Sequence, residues 1–247
     1  MTAGIDFTHA CGPDGVRVYA IGDVHGRFDL LLQMHGAISS DLAAHATKDW
    51  RIIHLGDYVD RGPDSRSVLD MLVKGTRDPR MVALAGNHDL AFLEFLATPD
   101  PASLFALYGG RQTAQSYGVE TSFEPALIDR THRDLVRAVP RSHGEFLGGL
   151  AFAVTLGDFF FCHAGIRPGV ELDAQDSNDL VWIRGEFHRF EGLHPKLIVH
   201  GHTPVAQPEI RANRVNLDTG AFQSGTLSAI VIDGPEKTIL QVSDRPI

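Results

Sequence analysis

The sequence predicts an α/β fold whose polar turns gather at the carboxyl ends of its strands. Three observations lead there. Short apolar runs recur along the chain, each ends in a turn rich in Gly, Asp, His or Asn, and stretches of helical period separate the first three. Val16–Ile21 leads into Gly22-Asp23-Val24-His25-Gly26. Ile52–Leu55, interrupted by His54, leads into Gly56-Asp57-Tyr58-Val59-Asp60-Arg61-Gly62, and Met81–Ala85 into Gly86-Asn87-His88-Asp89. Phe159–Cys162 is followed by His163-Ala164-Gly165, and Leu197–Val199 by His200-Gly201-His202-Thr203-Pro204. Runs this short, bounded by turn residues, suit buried strands, and the strand edge carrying the turns is where open α/β sheets place ligands.

The helical stretches follow the same logic. Phe28–Ala46 carries Leu30, Leu31, Met34 and Ile38 on one face. Asp64 or Ser65 is placed to cap a helix whose Val68, Leu69, Leu72 and Val73 face inward, and Leu90–Leu96 reads as a third. Residues 98–142 carry few metal-ligand side chains and show helical patterns near Ala102–Tyr117 and Glu124–Val139, so they are expected to form a helical insert or cap. Hairpins are expected after that, with Leu150–Thr155 and Phe159–Cys162 flanking Leu156-Gly157-Asp158, and Thr226–Ile232 and Thr238–Val242 flanking Asp233-Gly234-Pro235-Glu236. A mixed sheet, or two sheets packed face to face, follows, and one domain over residues 1–247 is expected.

Composition sets the outer bounds. A chain of 247 residues with 43% hydrophobic and 21% charged side chains can build a large core without disulfides. Its two cysteines, Cys11 and Cys162, are far apart, and Cys162 closes the run Phe159-Phe160-Phe161, where a buried inert thiol is expected. The formal net charge of −9 argues against nucleic acid as a partner, and no apolar stretch is long enough for a membrane span. Met1–Gly15 lacks a basic start, an apolar run and a cleavage site, so no signal peptide is expected and the cytoplasm is the expected compartment.

Taken singly, each polar turn also reads as a capped turn or a solvated histidine. Together, five runs deliver such residues to one predicted edge, and that concurrence points to chemistry. Asp23, His25, Asp57, Asn87, His163 and His202 offer mixed oxygen and imidazole ligands with no thiolate, a set that suits two divalent ions such as Mn²⁺, Fe²⁺ or Zn²⁺ and suits Ca²⁺ poorly. Bridging two ions needs a carboxylate with both oxygens free, and Asp57, central in the series, is the candidate.

The five motifs, in this order, resemble the metallophosphoesterase superfamily. The seven-residue Gly56–Gly62 motif is similar to that of its phosphoprotein phosphatase family, and Gly201-His202-Thr203-Pro204 with Leu217-Asp218-Thr219-Gly220 to its bacterial and phage Ser/Thr phosphatases. The resemblance implies a calcineurin-like β-sandwich, mixed sheets flanked by helices with a helical insert. It implies one metal on Asp23, His25 and Asp57 and a second on Asp57, Asn87, His163 and His202, with Mn²⁺ favoured over Fe or Zn. His88 then corresponds to the general acid, oriented by Asp60, and Arg61 and Arg184 to guanidinium clamps on phosphate. Water, activated by the ion pair, is expected to attack phosphorus in line.

Several positions depart from the family pattern or sit beside it. Asp89 stands where many members carry Glu, Ala164 where eukaryotic members carry Gly, and Pro204 where other branches place a further His ligand, which leaves water to complete the first metal. His200 is expected behind the ligands, hydrogen-bonded at its strand end. Arg27 is open to a substrate contact or a surface place at a helix start, and the Tyr108-Gly109-Gly110-Arg111 turn is a candidate to reach over the site. His9, His35, His45, His132, His143, His188 and His194 are expected to be mostly solvated. The implied function is a metal-dependent phosphomonoesterase of the Ser/Thr protein phosphatase type, acting on a phosphorylated protein or small phosphoester. The alternatives are a symmetric dinucleoside tetraphosphate hydrolase and a non-enzymatic phosphopeptide-binding metal scaffold.

Overall fold

Val18 and Ala20 alternate with Tyr19 and Ile21 along the first strand, and all four are fully buried, so that strand needs apolar cover on both faces. The computed structural model, which describes residues 4–45 and 49–244, supplies it with two sheets and three apolar layers. In chain order the described strands are β1 (Val16–Ile21), β2 (Asp49–His54), β3 (Met81–Ala83), β4 (Ala153–Leu156), β5 (Phe159–Cys162), β6 (Leu197–His200), β7 (Glu209–Ile210), β8 (Arg214–Asn216), β9 (Thr226–Asp233) and β10 (Glu236–Ser243). The helices are α1 (Phe28–Ala44), α2 (Ser65–Gly75), α3 (Asn87–Ala97), α4 (Leu104–Leu107), α5 (Gly110–Ser116), α6 (Ile128–Ala138), α7 (Arg141–Gly148), α8 (Ser177–Trp182), α9 (Gly185–Arg189) and α10 (Ala221–Ser224).

The sheets have the orders β10-β9-β1-β2-β3 and β4-β5-β6-β8-β7. In the first, β1, β2 and β3 run parallel and β9 and β10 antiparallel. In the second, β5, β6 and β8 run parallel between antiparallel edge strands. This is the α/β arrangement of two mixed sheets flanked by helices. Period-two alternation assigns each side chain to a layer. Val18, Ala20 and Ile53 meet Phe159, Phe161, Leu197, Val199 and Val215 between the sheets. Tyr19, Ile21 and Ile52 pack under α1, α2 and α3, and Phe160, Cys162 and Ile198 under Leu180 and Phe187 of α8 and α9.

Capping chemistry starts the helices beside the site. Asp64 accepts a hydrogen bond from the Ser67 N–H at 3.0 Å to open α2, and Asp89 turns back to the Gly86 N–H at 3.0 Å to open α3. The helices between residues 104 and 148 share the first apolar cluster, where Phe105 stacks on Phe92 at 5.0 Å between centroids. No helix among the described residues is long and apolar enough to cross a membrane.

Three expectations about the elements change. The pattern over Ala102–Tyr117 is two short helices, broken at Gly109 (φ 121°), because the chain there passes against Arg61 and a Cβ on Gly109 would lie 2.5 Å from the Arg61 nitrogen. The strand expected from Leu150 begins at Ala153, because Ala151 bridges to Leu84 and its carbonyl accepts the Ala85 N–H at 2.8 Å, tying the two sheets together. The first helix ends at Ala44, and the Ala46 end expected for it lies outside the described residues.

Phe161 is fully buried between the sheets. Phe161→Ala is therefore expected to destabilise the protein by about 3–5 kcal/mol, read from urea unfolding. An Arg141→Ala control, at an exposed side chain, should stay within about 0.5 kcal/mol of the parent.

Candidate metal centre

Asp23 and His25 follow β1, Asp57, Asp60 and Arg61 follow β2, Asn87 and His88 open α3 after β3, His163 follows β5, and His202 follows β6. Among the described residues, the non-glycine positions with positive φ are His25, Asp57, Asp60, Arg61 and His202, at 43° to 71°. Each such residue costs of order 1–3 kcal/mol unless its surroundings hold it, and all five lie in these turns. Backbone strain is thus stored at this strand edge. Asp23, His25, Asp57, Asp60, Asn87, His88, His163 and His202 are all buried.

Two groups share Asp57. His25, Asp57 and His88 form one and Asp57, His163 and His202 the other, with one potential ligand atom from each residue lying within 4.8 Å of the rest of its group. Asn87 joins the second group through Oδ1, which is 3.0 Å from His163 Nε2 and 2.9 Å from His202 Nδ1. Asp23 stands outside both groups and accepts the His202 N–H at 3.1 Å, with Gly201 so close that a Cβ there would overlap Asp23 Oδ1. His88 Nδ1 donates to Asp60 Oδ2 at 2.7 Å. Arg61 reaches His25 Nε2 at 2.9 Å and His88 Nε2 at 2.8 Å, and Arg184 donates from Nε to His202 Nε2 at 2.9 Å.

The donors fit divalent cations. His25 and His163 each donate Nδ1–H to a backbone carbonyl, Val59 at 2.8 Å and Leu55 at 2.9 Å, which leaves the lone pair on Nε2. Burial lowers both imidazoles, His25 to about 3, so both are neutral. His163 Nε2 then faces Asn87 Oδ1 at 3.0 Å and Asp57 Oδ2 at 3.5 Å, three electron-pair donors with no proton among them. Converging lone pairs of this kind suit a metal ion. At His25 and His88 the cation facing the lone pairs is the Arg61 guanidinium.

Charge runs the same way. Asp57 is buried between the neutral rings of His25 and His163, and its Oδ1 accepts the His88 N–H at 3.0 Å. Burial, with Asp218 and Asp57 beside it, pushes Asp23 well above that range, and burial pushes Asp218 up to about 6. Such a cluster of acids calls for added positive charge.

Asp89 accepts from the N–H groups of Asp57 at 2.8 Å, Tyr58 at 2.9 Å and Gly86 at 3.0 Å, so the residue that departs from the family pattern touches backbone and shapes the Asp57 turn. His200 is buried at its strand end and donates Nδ1–H to the Gly201 carbonyl at 3.0 Å. Arg27 is 8% exposed and bound to Asp29, Asp244 and the Ala221 carbonyl, a contact between elements in place of either expectation. The expectation for the remaining histidines also changes, since only His9 and His45 of the seven are exposed. His143 hydrogen-bonds Tyr117 at 2.7 Å, and His194 stacks on Phe190 at 4.9 Å.

Sequence reading passed over two residues and gave a third no role at the site. Asp218, quoted only as part of the Leu217–Gly220 motif, follows β8, where Asn216 interrupts the apolar run. Phe222 lies 5.0 Å from the Arg61 guanidinium and edge-on to His25 at 5.5 Å, and Thr113 bonds to Asp60, with no local signal at either. Gly109 packs on Arg61, which places the Tyr108–Arg111 turn beside the site.

Removing the Asp89 carboxylate strands three buried N–H groups. Asp89→Ala is expected to cost at least about 3 kcal/mol in urea unfolding; a loss below about 1 kcal/mol would mean those groups find other partners.

Comparison with known proteins agrees with this geometry. The chain is 29% identical to Bis(5'-nucleosyl)-tetraphosphatase PrpE (asymmetrical) of Anoxybacillus flavithermus over 229 residues, 85% of this chain and 88% of that protein. It is 24% identical to serine/threonine-protein phosphatase 2 of Escherichia coli, over 85% of this chain and 90% of that one. A solved structure provisionally described as a diadenosine tetraphosphatase superposes with a TM-score of 0.64 at 20% identity, over 93% of this chain and 95% of that one, and shows the same fold. Residues 16–224, from β1 through the last turn of the site, match the calcineurin-like phosphoesterase family, and with its paired His/Asp groups at one strand edge the chain belongs to that family of metal-dependent phosphoesterases.

Proposed function

We propose that this metal-dependent phosphoesterase hydrolyses dinucleoside polyphosphates. The observation that carries the reading is a cleft of about 610 Å³ beside Arg61, lined by Tyr108, Arg111, Phe123 and Phe222. Its volume falls within the ~300–1,000 Å³ of small-molecule sites. Its aromatic rings suit a base, which stacks for about 1–3 kcal/mol, and its two guanidinium groups suit phosphates. The tetraphosphatase named among the relatives supports the same substrate class.

In this reading His25 and Asp57 would hold one divalent ion, completed by Asp23 from its place outside that group, and Asp57, Asn87, His163 and His202 would hold another, with Mn²⁺ favoured over Fe or Zn. When bound, the ions supply positive charge for the phosphoryl oxygens and make water nucleophilic at neutral pH. The chain's own side chains do the rest. Arg61, whose fork lies between His25 and His88, turns to bind two phosphoryl oxygens, and Arg184 approaches from the His202 side. Once Arg61 has turned away, His88 Nε2 takes up a proton from solvent; water attacks phosphorus and releases a proton to solvent, the bond to the bridging oxygen breaks, and His88 Nε2 gives that oxygen its proton. Asp60, on Nδ1, holds the ring in the orientation that delivers it.

A second reading, a Ser/Thr phosphoprotein phosphatase, is favoured by the His88–Asp60 pair, because an alkoxide is a poorer leaving group than a phosphate and gains more from a general acid. The two readings separate on kcat/KM for diadenosine tetraphosphate against a phosphothreonine peptide, with the protein loaded with Mn²⁺. The dinucleotide is expected to win, and Tyr108→Ala should raise its KM about 10-fold while leaving the peptide unaffected. A peptide preference unaffected by Tyr108→Ala would select the second reading.

Asp57→Asn is expected to lose bound metal and activity together, measured by metal analysis of the purified protein and turnover of either substrate. A fully metallated variant would contradict the bridging role.

A further inference from the structure

Thr113 lies on α5, in the helical stretch between the third and fourth strands, and is fully buried against Asp60, 53 residues away in sequence. Its hydroxyl accepts the Asp60 N–H at 2.8 Å and donates to Asp60 Oδ1 at 2.8 Å. Ser65 Oγ is 3.0 Å from Thr113 Oγ1. Because the single Thr113 proton is committed to the carboxylate, Ser65 is the donor to Thr113, while its own oxygen accepts a longer bond from the Asp60 N–H at 3.2 Å. The other carboxylate oxygen of Asp60 holds His88 Nδ1 at 2.7 Å. Ser65, Thr113, Asp60 and His88 therefore form a connected set of hydrogen bonds that converge on Asp60, with Ser65 donating to Thr113, Thr113 to Oδ1 and His88 to Oδ2.

We propose that Thr113 is a positioning residue for proton delivery, fixing the Asp60 carboxylate and through it the ring of His88. The inference rests on the general-acid role proposed for His88. The stretch that carries Thr113 also lines the cleft with Tyr108 and Arg111, and its Gly109 carbonyl accepts the Arg61 N–H at 3.3 Å. One segment thus meets the substrate, braces the phosphate-binding arginine and holds the partner of the proton donor. Asp60 and Arg61 both have positive φ, 71° and 68°, and the Thr113 hydroxyl also ties down that turn. A purely structural Thr113 would hold the backbone; a positioning Thr113 also sets the angle of the imidazole. A small misplacement of a catalytic group costs rate without weakening substrate binding.

The experiment uses the whole Mn²⁺-loaded protein with two phosphomonoesters that differ in their leaving group, phenyl phosphate and p-nitrophenyl phosphate. Nitrophenolate departs without a proton and phenolate gains from one. Thr113→Val, close in shape but without the hydroxyl, is expected to lower kcat on phenyl phosphate about 10–100-fold at unchanged KM. On p-nitrophenyl phosphate kcat should change by less than about 3-fold, with unchanged bound metal. Thr113→Ser should restore the phenyl phosphate rate, and His88→Asn should show the same selectivity with a larger loss, about 10²–10⁴-fold. Equal losses on both substrates, or no rescue by serine, would overturn the proposal and leave Thr113 a structural residue. A selective His88→Asn beside an unselective Thr113→Val overturns this inference alone. An unselective His88→Asn overturns the general-acid reading and the inference with it. Should Thr113→Val fail to fold, Ser65→Ala, which removes the donation to Thr113, must show a smaller loss with the same leaving-group preference; its absence also overturns the proposal.

Discussion

A carboxylate taken out of water loses several kcal/mol of hydration unless charge or hydrogen bonds replace it, and Asp57 is buried at the centre of the strand edge. Four different loops bring His25, His88, His163 and His202 around it, but His25 and His163 are neutral and turn lone pairs toward it, so the replacement is incomplete without a cation. Asp89 holds the turn from below through the N–H groups of Asp57 and Tyr58, and Oδ1 of Asp57 accepts the N–H of His88 at 3.0 Å. Loss of any one of these loops would remove a potential ligand atom from around the carboxylate, so the site and the strand order depend on each other. The same excess of lone pairs that makes Asp57 costly without cations makes the site a receptor for them.

The two-sheet framework is what brings the loops to one place. Strands buried on both faces carry apolar side chains over most of their length, so the polar groups of the site cluster where those strands end. Parallel strands in each sheet place those ends together, with Leu84 and Ala151 bridging the sheets beside the site. Left-handed backbone at His25, Asp57, Asp60, Arg61 and His202 then turns the side chains inward, a conformation the packed sheets can hold and an isolated turn could not.

The helical stretch after α3 adds a different kind of constraint. It shares the apolar cluster of Phe92 and Phe95, so its position is set by core packing. Through Gly109 and Thr113 it touches Arg61 and Asp60, and with Phe123 and Phe222 it walls a cleft on the arginine side. In the proposed dinucleotide reading, this stretch joins substrate recognition to the groups that act on the phosphate.

The candidate ligands were legible because each follows a short apolar run, and helix faces and caps such as Asp64 obey rules that reach only a few residues. Asp218 obeys the same rule but enters the sequence reading only through its Leu217–Gly220 motif, because one polar residue, Asn216, interrupts its strand. Thr113, Phe222, His143 and His194 belong to another class. Their roles depend on which distant segment packs against them: Asp60 for Thr113, Arg61 for Phe222, Tyr117 for His143 and Phe190 for His194. By itself the sequence determined the strand–turn–helix order, the candidate ligand types and their common edge, because periodicity and turn chemistry are local. Tertiary structure alone decided that two sheets close around that edge, that Asp23 lies outside the two histidine groups, and that α5 reaches Asp60. Those outcomes follow from packing between surfaces far apart in the chain, which no local pattern encodes.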